Sequence, residues 1–459
     1  MSRASPPPDT IAALATPPGR GGVGIVRVSG FDLAAIVDGI VGRPLPARTA
    51  TLATFRDARG GPIDVGLALL FPATASYTGE TVLELHGHGS PAALERLLAR
   101  CLELGARLAQ PGEFTRRAFE NGRIDLAQAE SVADLIEATT ATAARAAARS
   151  LAGEFSREVR AIVASVTELR TFVEAALDFP DEDLEFVRAS DARGRLADVR
   201  ARLDALTARA ATGARLARGL CLVLVGRPNV GKSSLMNRLA RDDVAIVTPI
   251  PGTTRDAVVR PVEIGGFPLT VVDTAGLRAT DDPVERLGIE RTQRAVAGAD
   301  AAIVLVDARE SGDGLADEDR AVLAQLPAAL PRIVVHNKAD LTAHAAAGAS
   351  TRIGGTAHLW LSALTGEGVD ALEREIVAIA GVAAADEDAF IARARHWEAL
   401  RTAAGHLDAA SRHLALEAPP LELYAEELRE AQVALGAITG EFTADDLLGE
   451  IFSRFCIGK

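Results

Sequence analysis

One stretch of the chain has the residue types and spacing to hold a phosphate chain. Residues 226–233 read Gly226-Arg227-Pro228-Asn229-Val230-Gly231-Lys232-Ser233, with Ser234 next. They fit the pattern GxxxxGK[ST] between a continuous apolar run, Leu222–Val225, and a helical stretch, which is the context this pattern requires. Glycines let backbone N–H groups close around phosphate oxygens, and the following helix N-terminus adds positive potential. Lys232 is expected on the β- and γ-phosphates and Ser233 on Mg²⁺. A second motif, Asn337-Lys338-Ala339-Asp340, follows the apolar run Ile333–Val335. Asp340 is expected to accept from guanine N1–H and the exocyclic amine, a pair that adenine lacks. A site whose buried polar group goes unpaired with the wrong base rejects that base by orders of magnitude. Ser362-Ala363-Leu364 falls where the second base-side loop belongs.

Two further elements lie between these motifs. The loop Thr248, Pro249, Ile250, Pro251, Gly252, Thr253 and Thr254 is expected along the nucleotide, with Thr254 on Mg²⁺ when the γ-phosphate is present. Asp273-Thr274-Ala275-Gly276 follows the apolar run Leu269–Val272. Asp273 is expected to hold Mg²⁺ through water, and the Gly276 N–H to sense the γ-phosphate. Five motifs in this order describe a GTP-hydrolysing switch, with Lys232 and Asp273 among its catalytic residues. One position departs from the Ras pattern: Leu277 stands where Ras-like proteins carry the water-orienting glutamine. The loop Asp281-Asp282-Pro283-Val284-Glu285-Arg286 supplies the candidate replacements.

These residues need a scaffold, and the apolar periodicity outlines one. Leu222–Val225, Leu269–Val272, Ala302–Val306, Ile333–Val335 and His358–Leu361 read as strands with helical segments between them, which predicts a parallel α/β sheet. Before this region, Thr10–Thr16, Val23–Val28, Val65–Phe71 and Thr81–Leu85 read as strands and Pro91–Leu104 as a helix, an α+β domain. Residues 126–178 and 191–215 have apolar spacings of three and four, with Gly153 the one glycine of the first stretch. The acidic run Asp178–Phe186 between them reads as a solvated loop. Helical periodicity returns at 386–415, Leu421–Ala437 and Thr443–Phe455. The expected organisation is an N-terminal domain over 1–121, a helical domain in two parts (122–218 and 381–459), and an α/β domain over 219–380 inserted between them.

Composition narrows the class. Apolar residues make up 48% and charged residues 24%, and no apolar run is long enough to span a bilayer. The three cysteines, Cys101, Cys221 and Cys456, are far apart, which argues against a disulfide framework and fits a cytoplasmic location. Net charge is −13 with a pI near 5.2, so any contact with nucleic acid must be local or supplied by a partner. Of the 49 basic residues, lysine occurs only at Lys232, Lys338 and Lys459. Arginine is a planar fork and lysine a compact point charge, so positions where lysine survives mark places where the fork does not serve.

The segments ATPPGRGGVGIVRVSG (15–30), GETVLELHGHG (79–89), PGEFTRRAF (111–119), IDLAQAE (124–130) and GEFTADDLLGEIFSRFCIGK (440–459), together with the nucleotide motifs, span nearly the whole chain. In these the sequence resembles the MnmE (TrmE) family of bacterial and organellar tRNA-modification GTPases. The terminal Cys-x-Gly-Lys is the most specific mark of that likeness. The resemblance implies a multidomain protein: an α+β folate-binding-like N-terminal domain, an all-α helical domain and an inserted α/β P-loop GTPase (Ras-like) domain. It implies that K⁺ replaces an arginine finger, held by Asn229, Thr248, Ile250 and Thr253, and that Glu285 orients water indirectly. It implies a 5-formyltetrahydrofolate site at Arg27, Glu84, Arg123 and Lys459, where Arg123 stands in place of the lysine frequent in the family. It further implies a homodimer through the N-terminal domain and a heterotetrameric or larger complex with the FAD protein MnmG, through which most of the tRNA is held. That complex would install an aminomethyl or carboxymethylaminomethyl group at carbon 5 of the wobble uridine of certain tRNAs.

Without the resemblance, Arg27 and Glu84 read as ordinary strand residues. His86 and His88, with no third ligand in view, are not expected to bind metal. Cys456 is expected to be structural or a neighbour of the folate pocket. A different class, a GTP-switched RNA or ribosome-assembly factor like Era or Der, needs a KH-type domain or a second G domain, and the sequence shows neither. A vestigial GTPase serving as a scaffold is disfavoured by the intact motifs.

Overall fold

The computed structural model describes residues 9–178, 191–240, 259–265, 267–273, 295–311, 315–342, 347–380, 390–416, 419–441, 448, 451–453, 455 and 458. The chain forms two compact units. One comprises Met1–Ile136, Ser150–Leu203 and Glu398–Lys459; the other comprises Glu137–Arg149 and Asp204–Trp397.

The first unit opens with a six-stranded sheet: β1 (Ile11–Leu14), β2 (Gly21–Gly30), β3 (Thr51–Arg56), β4 (Pro62–Phe71), β5 (Thr81–Gly89) and β6 (Arg107–Leu108), in the order β3-β4-β5-β2-β1-β6. All neighbours are antiparallel except β1 and β6. Successive side chains on a strand point to opposite faces. Val26, Val28, Leu83, Leu85, Ala68 and Phe55 therefore share one face, packed against Ile36 and Ile40 of α1 (Ala34–Val41) and Leu94 and Leu97 of α2 (Pro91–Glu103). The alternate positions, Arg27 on β2 and Glu84 and His86 on β5, fall on the other face. Arg27 stands directly opposite Glu84 in the β2–β5 register.

A buried ionic strut braces this sheet. Arg117 of α3 (Glu113–Glu120) donates to both Glu80 oxygens at 3.0 and 3.1 Å, to Glu113 Oε1 at 2.9 Å and to Asp9 Oδ1 at 2.9 Å. Charges buried this deeply are tolerated only when paired and hydrogen-bonded, and this one has three carboxylate partners.

The helical part follows the spacing of its buried residues. The expected long stretch 126–178 is three helices: α4 (Leu126–Glu137), α5 (Ala141–Leu151) and α6 (Glu154–Asp178). The break before α6 falls at Gly153, in the left-handed conformation at φ +79°. Along α6 the buried residues Phe155, Val159, Ile162, Val166, Leu169 and Val173 alternate steps of four and three. The helix Leu421–Thr439 does the same with Leu421, Tyr424, Leu428, Ala431, Leu435 and Ile438, and it packs along α6. This 3.5-residue spacing is that of a coiled-coil seam, in which each side chain enters a gap on its neighbour. Arg170 Nη1 donates to Gln432 Oε1 at 2.7 Å beside the seam. The helix expected at 386–415 starts only at Ala394. Phe390, Ile391 and Ala392 just before it are non-helical and buried, and His396 Nδ1 accepts from the Arg393 N–H at 3.2 Å, capping the first turn. The acidic run from Phe179 onward and most of Thr443–Phe455 lie outside the described residues.

The second unit carries a seven-stranded sheet: β7 (Leu220–Gly226), β8 (Val259–Ile264), β9 (Phe267–Asp273), β10 (Ala301–Asp307), β11 (Arg332–Asn337), β12 (Ser350–Ile353) and β13 (Thr356–Trp360), in the order β12-β13-β11-β10-β7-β9-β8. The five strands legible in the sequence are the parallel ones, and the two edge strands are antiparallel. The parallel strands read as continuous apolar runs because both faces are covered. Leu222, Leu224, Ile303, Leu305, Ile333 and Val335 join one core. Val223, Val225, Val304, Val306 and Val334 join the other.

One buried pair breaks the apolar rule. His336 of β11 and His358 of β13 meet Nε2 to Nδ1 at 3.1 Å, and the His336 ring stacks on Trp360 at 4.4 Å between centroids. Burial, reinforced by the neighbouring His358, lowers the His336 pKa to about 4; burial lowers that of His358 as well. Because the folded form holds His336 neutral, acidification favours the unfolded chain, whose imidazole takes up a proton first. Its contribution is intact above about pH 6.5 and is lost as pH falls towards 4, on the order of 2–3 kcal/mol. The melting temperature of this unit should drop over that window, and His336→Gln should flatten the drop; equal slopes for the two proteins would remove His336 as the cause.

Candidate nucleotide site and N-terminal cluster

The carboxyl ends of the parallel strands carry the motif loops, where ligands bind in open α/β sheets. After β7 the chain turns through Asn229, at φ +63°, and Gly231, at φ +100°, into the helix Lys232–Leu239. A side chain at Gly231 would place its Cβ 2.2 Å from Asn337 Nδ2, so only glycine lets the two loops close. Lys232 Nζ donates to the Gly226 and Arg227 carbonyls at 2.8 and 3.0 Å, which lays the ammonium across the mouth of the loop. Ser233 and Ser234 are exposed in the first turn of the helix.

The base-side loop is tied to the phosphate loop at two points. Asn337 Nδ2 donates to the Val230 carbonyl at 2.8 Å, while Asn337 Oδ1 accepts from the Ala363 N–H at 2.9 Å. The buried carboxamide therefore joins all three loops. Lys338, at φ +66°, donates from Nζ to the Asn229 carbonyl and to Asp307 Oδ2, both at 2.7 Å. Ala339 is buried and donates to the Leu361 carbonyl, whereas Asp340 is exposed in the short turn that follows. In the second base-side loop Ser362 Oγ accepts from the Thr365 N–H, and Leu364 is 78% exposed. Arg238 of the phosphate-loop helix donates to the Ala363 and Leu364 carbonyls.

Three residues here carry no motif signal. Asp307, at the end of β10, is held well below the usual carboxylate range, first by its bonds from Arg309, then by Lys338, against the effect of burial. Arg227 points out of the phosphate loop: it donates to Asp319 at 2.8 Å, to Glu318 at 3.0 Å and to Glu310. Burial pushes the Asp319 carboxyl up despite that guanidinium. The signal for each is its place at a strand end or helix start, which a motif search does not read.

The rest of the expected site is only partly described. β9 ends at Asp273, whose side chain is outside the described residues, as are Thr274, Ala275, Gly276 and Glu285. Thr248, Pro249, Ile250, Pro251, Gly252, Thr253 and Thr254 also lie outside them, as do Lys459 and Cys456.

A second cluster forms in the first unit. Arg27 bonds Glu84 Oε1 through Nε at 3.0 Å and Nη2 at 2.8 Å, and its guanidinium lies 5.8 Å from the centre of the Phe114 ring. Glu84 Oε2 pairs with His86 Nε2 at 3.1 Å. Burial works to raise the Glu84 carboxyl, but Arg27 and then His86 outweigh it and hold the group below its usual range. Arg27 Nη1 also reaches the Gly458 carbonyl at 3.4 Å, which brings that glycine to a residue 431 positions earlier. Gly458 takes φ +100°, and a Cβ there would sit 2.1 Å from the Leu14 carbonyl. Arg123 follows α3 and donates to the Thr74 and Ser76 carbonyls, in the loop before β5, at 3.2 Å each. His88 pairs instead with Asp64, so the two histidines serve different carboxylates.

Comparison with known proteins now decides the family. A family model described as the GTP-binding protein TrmE N-terminus matches residues 10–123, and one described as the MnmE helical domain matches 126–456. The chain belongs to the MnmE family. Curated members named tRNA modification GTPase MnmE from Neisseria meningitidis (strain FAM18) and Azoarcus sp. (strain BH72) are each 56% identical to it. The alignments cover 98% of this chain and 99% of the first relative, and 100% of both for the second. A member from Dechloromonas aromatica is 55% identical over 451 residues. Among solved structures, a GDP–AlF4⁻-bound Era variant from Aquifex aeolicus is 24% identical over 41% of this chain and 66% of that one. Its TM-score of 0.29 adds nothing to the MnmE assignment.

Removing the Asp307 charge isolates the lysine tie. Asp307→Asn should raise the dissociation constants for GTP and GDP together by roughly tenfold, the scale of one charge-assisted hydrogen bond, and leave turnover at saturating GTP within about twofold. Nucleotide dissociation rates by stopped flow provide the check; unchanged rates would show that Lys338 needs no anchor.

Proposed function

We propose that this tRNA-modification GTPase is potassium-activated and works with an FAD-dependent partner, MnmG, to install an aminomethyl or carboxymethylaminomethyl group at carbon 5 of the wobble uridine. The observation that carries the nucleotide part is the double tie of Asn337 and Lys338 between base-side and phosphate-side loops. It lets Asp340 read guanine while Lys232 meets the β- and γ-phosphates.

The residues present fit the two cations of the reaction. Ser233 offers an exposed hydroxyl at the start of a helix, with Asp273 at the neighbouring strand end, as a Mg²⁺ site needs. Asn229 is exposed and held in the left-handed conformation, its carbonyl fixed by Lys338, which leaves its carboxamide to ligate K⁺. Thr248, Ile250, Thr253 and Thr254 complete the two ligand sets in the proposed assignment. K⁺ would supply the charge compensation that Ras-like enzymes take from an arginine. Glu285 takes over the water-orienting role that Leu277 cannot fill.

The N-terminal cluster suits a folate. Arg27 and Glu84 present a fixed cation and a fixed anion on the sheet face, with Gly458 bonded to Arg27. In the proposed site Glu84 binds the pteridine donors, while Arg27, Arg123 and Lys459 hold the charged and carbonyl groups of 5-formyltetrahydrofolate. The N-terminal domains form a constitutive homodimer, and the two nucleotide domains meet in the GTP state. MnmG and tRNA join this dimer in a heterotetramer or larger complex in the cytoplasm. Among the described residues, no helix is long and apolar enough to cross a membrane.

GTP turnover should be much faster in KCl than in NaCl at equal ionic strength, and Glu285→Ala should keep GTP affinity while turnover falls by about 10² or more. Equal turnover in the two salts, or in wild type and variant, would remove potassium or Glu285 from the mechanism. For the folate site, Lys459→Arg should weaken 5-formyltetrahydrofolate binding by calorimetry with GTP hydrolysis unchanged; full affinity would make that lysine incidental. Mass analysis of wobble uridines from a deletion strain checks the physiological role.

A further inference from the structure

The −13 net charge is unevenly distributed. Residues 9–123 carry twelve arginines against eleven carboxylates, so the surplus of acid lies beyond them. Within that domain, residues 41–63 hold four arginines, Arg43, Arg48, Arg56 and Arg59, against one acid, Asp57. All four arginines are exposed: Arg43 and Arg48 lie in the segment that leads into β3, Arg56 ends the strand and Arg59 is in the turn after it. β3 is the terminal strand of its sheet, so one side of its backbone faces no other strand.

Two of these guanidinium groups are fixed by the edge itself. Arg43 Nη2 donates to the Leu52 carbonyl at 2.8 Å, and Arg56 Nη1 donates to the Gly60 carbonyl at 3.1 Å. A guanidinium has five N–H donors, so most remain available after one such bond. Arg48 and Arg59 have no side-chain partner among the described residues. Asp57 offsets only one of these charges. It is occupied by the Arg59 and Gly61 N–H groups at 3.0 and 2.8 Å, and by a fifth exposed arginine, Arg96 of α2, at 3.4 Å. Leu52 to Arg56 spans about 13 Å of extended chain, enough to meet separate phosphates.

A single charge is enough to protect a sheet edge from pairing with another strand. Four arginines against one acid exceed that need. Arginine forks match phosphate and carboxylate oxygens alike, and the tRNA-modification reading, which brings an RNA backbone to this chain, selects the phosphate. We propose that the β3 edge, through Arg43, Arg48, Arg56 and Arg59, is an RNA-backbone contact by which this chain itself holds part of its tRNA. The proposal rests on the tRNA-modification reading and adds a surface to it. The contact is sequence-independent, because phosphate contacts position an RNA without reading its bases.

The test measures binding of a tRNA transcript to the full-length protein by fluorescence anisotropy between 50 and 200 mM KCl. R43E/R56E should weaken binding at least tenfold and reduce the slope of log affinity against log salt by about 1.4–1.8, the share of two phosphates. R43K/R56K should keep most of the affinity, and both variants should keep wild-type melting temperatures and GTP turnover without tRNA. An unchanged affinity and slope in R43E/R56E would overturn the proposal, as would wild-type protein that binds no tRNA. Polyglutamate that competes as well as RNA would also overturn it, in favour of an acidic protein partner. Wobble-uridine analysis separates the two readings. A deletion strain with normal uridines refutes the tRNA-modification role. A modification defect on deletion, with R43E/R56E normal in cells and in binding, refutes the β3 contact alone.

Discussion

One buried carboxamide holds the nucleotide end of the protein together. Asn337 gives its N–H to the Val230 carbonyl and takes the Ala363 N–H on its oxygen, at 2.8 and 2.9 Å. Those two bonds join loops that leave three different strands, β7, β11 and β13. A carboxamide is suited to this because donor and acceptor sit on one rigid plane, and neither needs a titrating partner. The closeness it enforces explains Gly231, which has no room for a Cβ, and the left-handed turn at Asn229. Lys338 then completes the join by reaching the Asn229 carbonyl from the same strand end.

The choice of lysine over arginine follows from that geometry. In a chain where 46 of 49 basic residues are arginine, Lys232 survives where the cation ends a thin stem between two backbone carbonyls, and Lys338 where it ends between a carbonyl and the Asp307 carboxylate. Arginine occupies the surrounding positions where a fork is useful. Arg227 spans Glu310, Glu318 and Asp319, Arg238 caps the second base-side loop, and Arg309 chelates Asp307. The forks brace the loops, while the point charges face the space the phosphates and base need.

The N-terminal cluster is assembled on a different principle. Arg27 and Glu84 meet because antiparallel register sets them opposite each other on the face turned away from the core. The tail reaches them from the far end of the chain, with Gly458 fitted against the Leu14 carbonyl. Because both termini contribute to this place, the domain and the tail must be folded together before it exists.

The sequence by itself determined the nucleotide motifs, the parallel strands and the long helices. Each depends on local spacing: glycines and a lysine within eight residues, apolar runs covered on both faces, and buried residues every three or four positions. The family likeness singled out Arg27 and Glu84, which their strand setting alone marked as ordinary, and the structure pairs the two. Local spacing missed β3, α1 and the antiparallel edges β8 and β12, whose residues are short runs with one side exposed or interrupted by glycine. It also extended the helix before 414 back over Phe390–Arg393, where an apolar run is buried without being helical. Only the tertiary structure decided that Asp307 anchors Lys338, that Arg227 turns away from the phosphate loop, and that residues 27, 84 and 458 share one place. Those outcomes depend on contacts between residues distant in the chain, and charge, hydrogen-bond reach and burial at such contacts are properties of the packed protein rather than of any local run of residues.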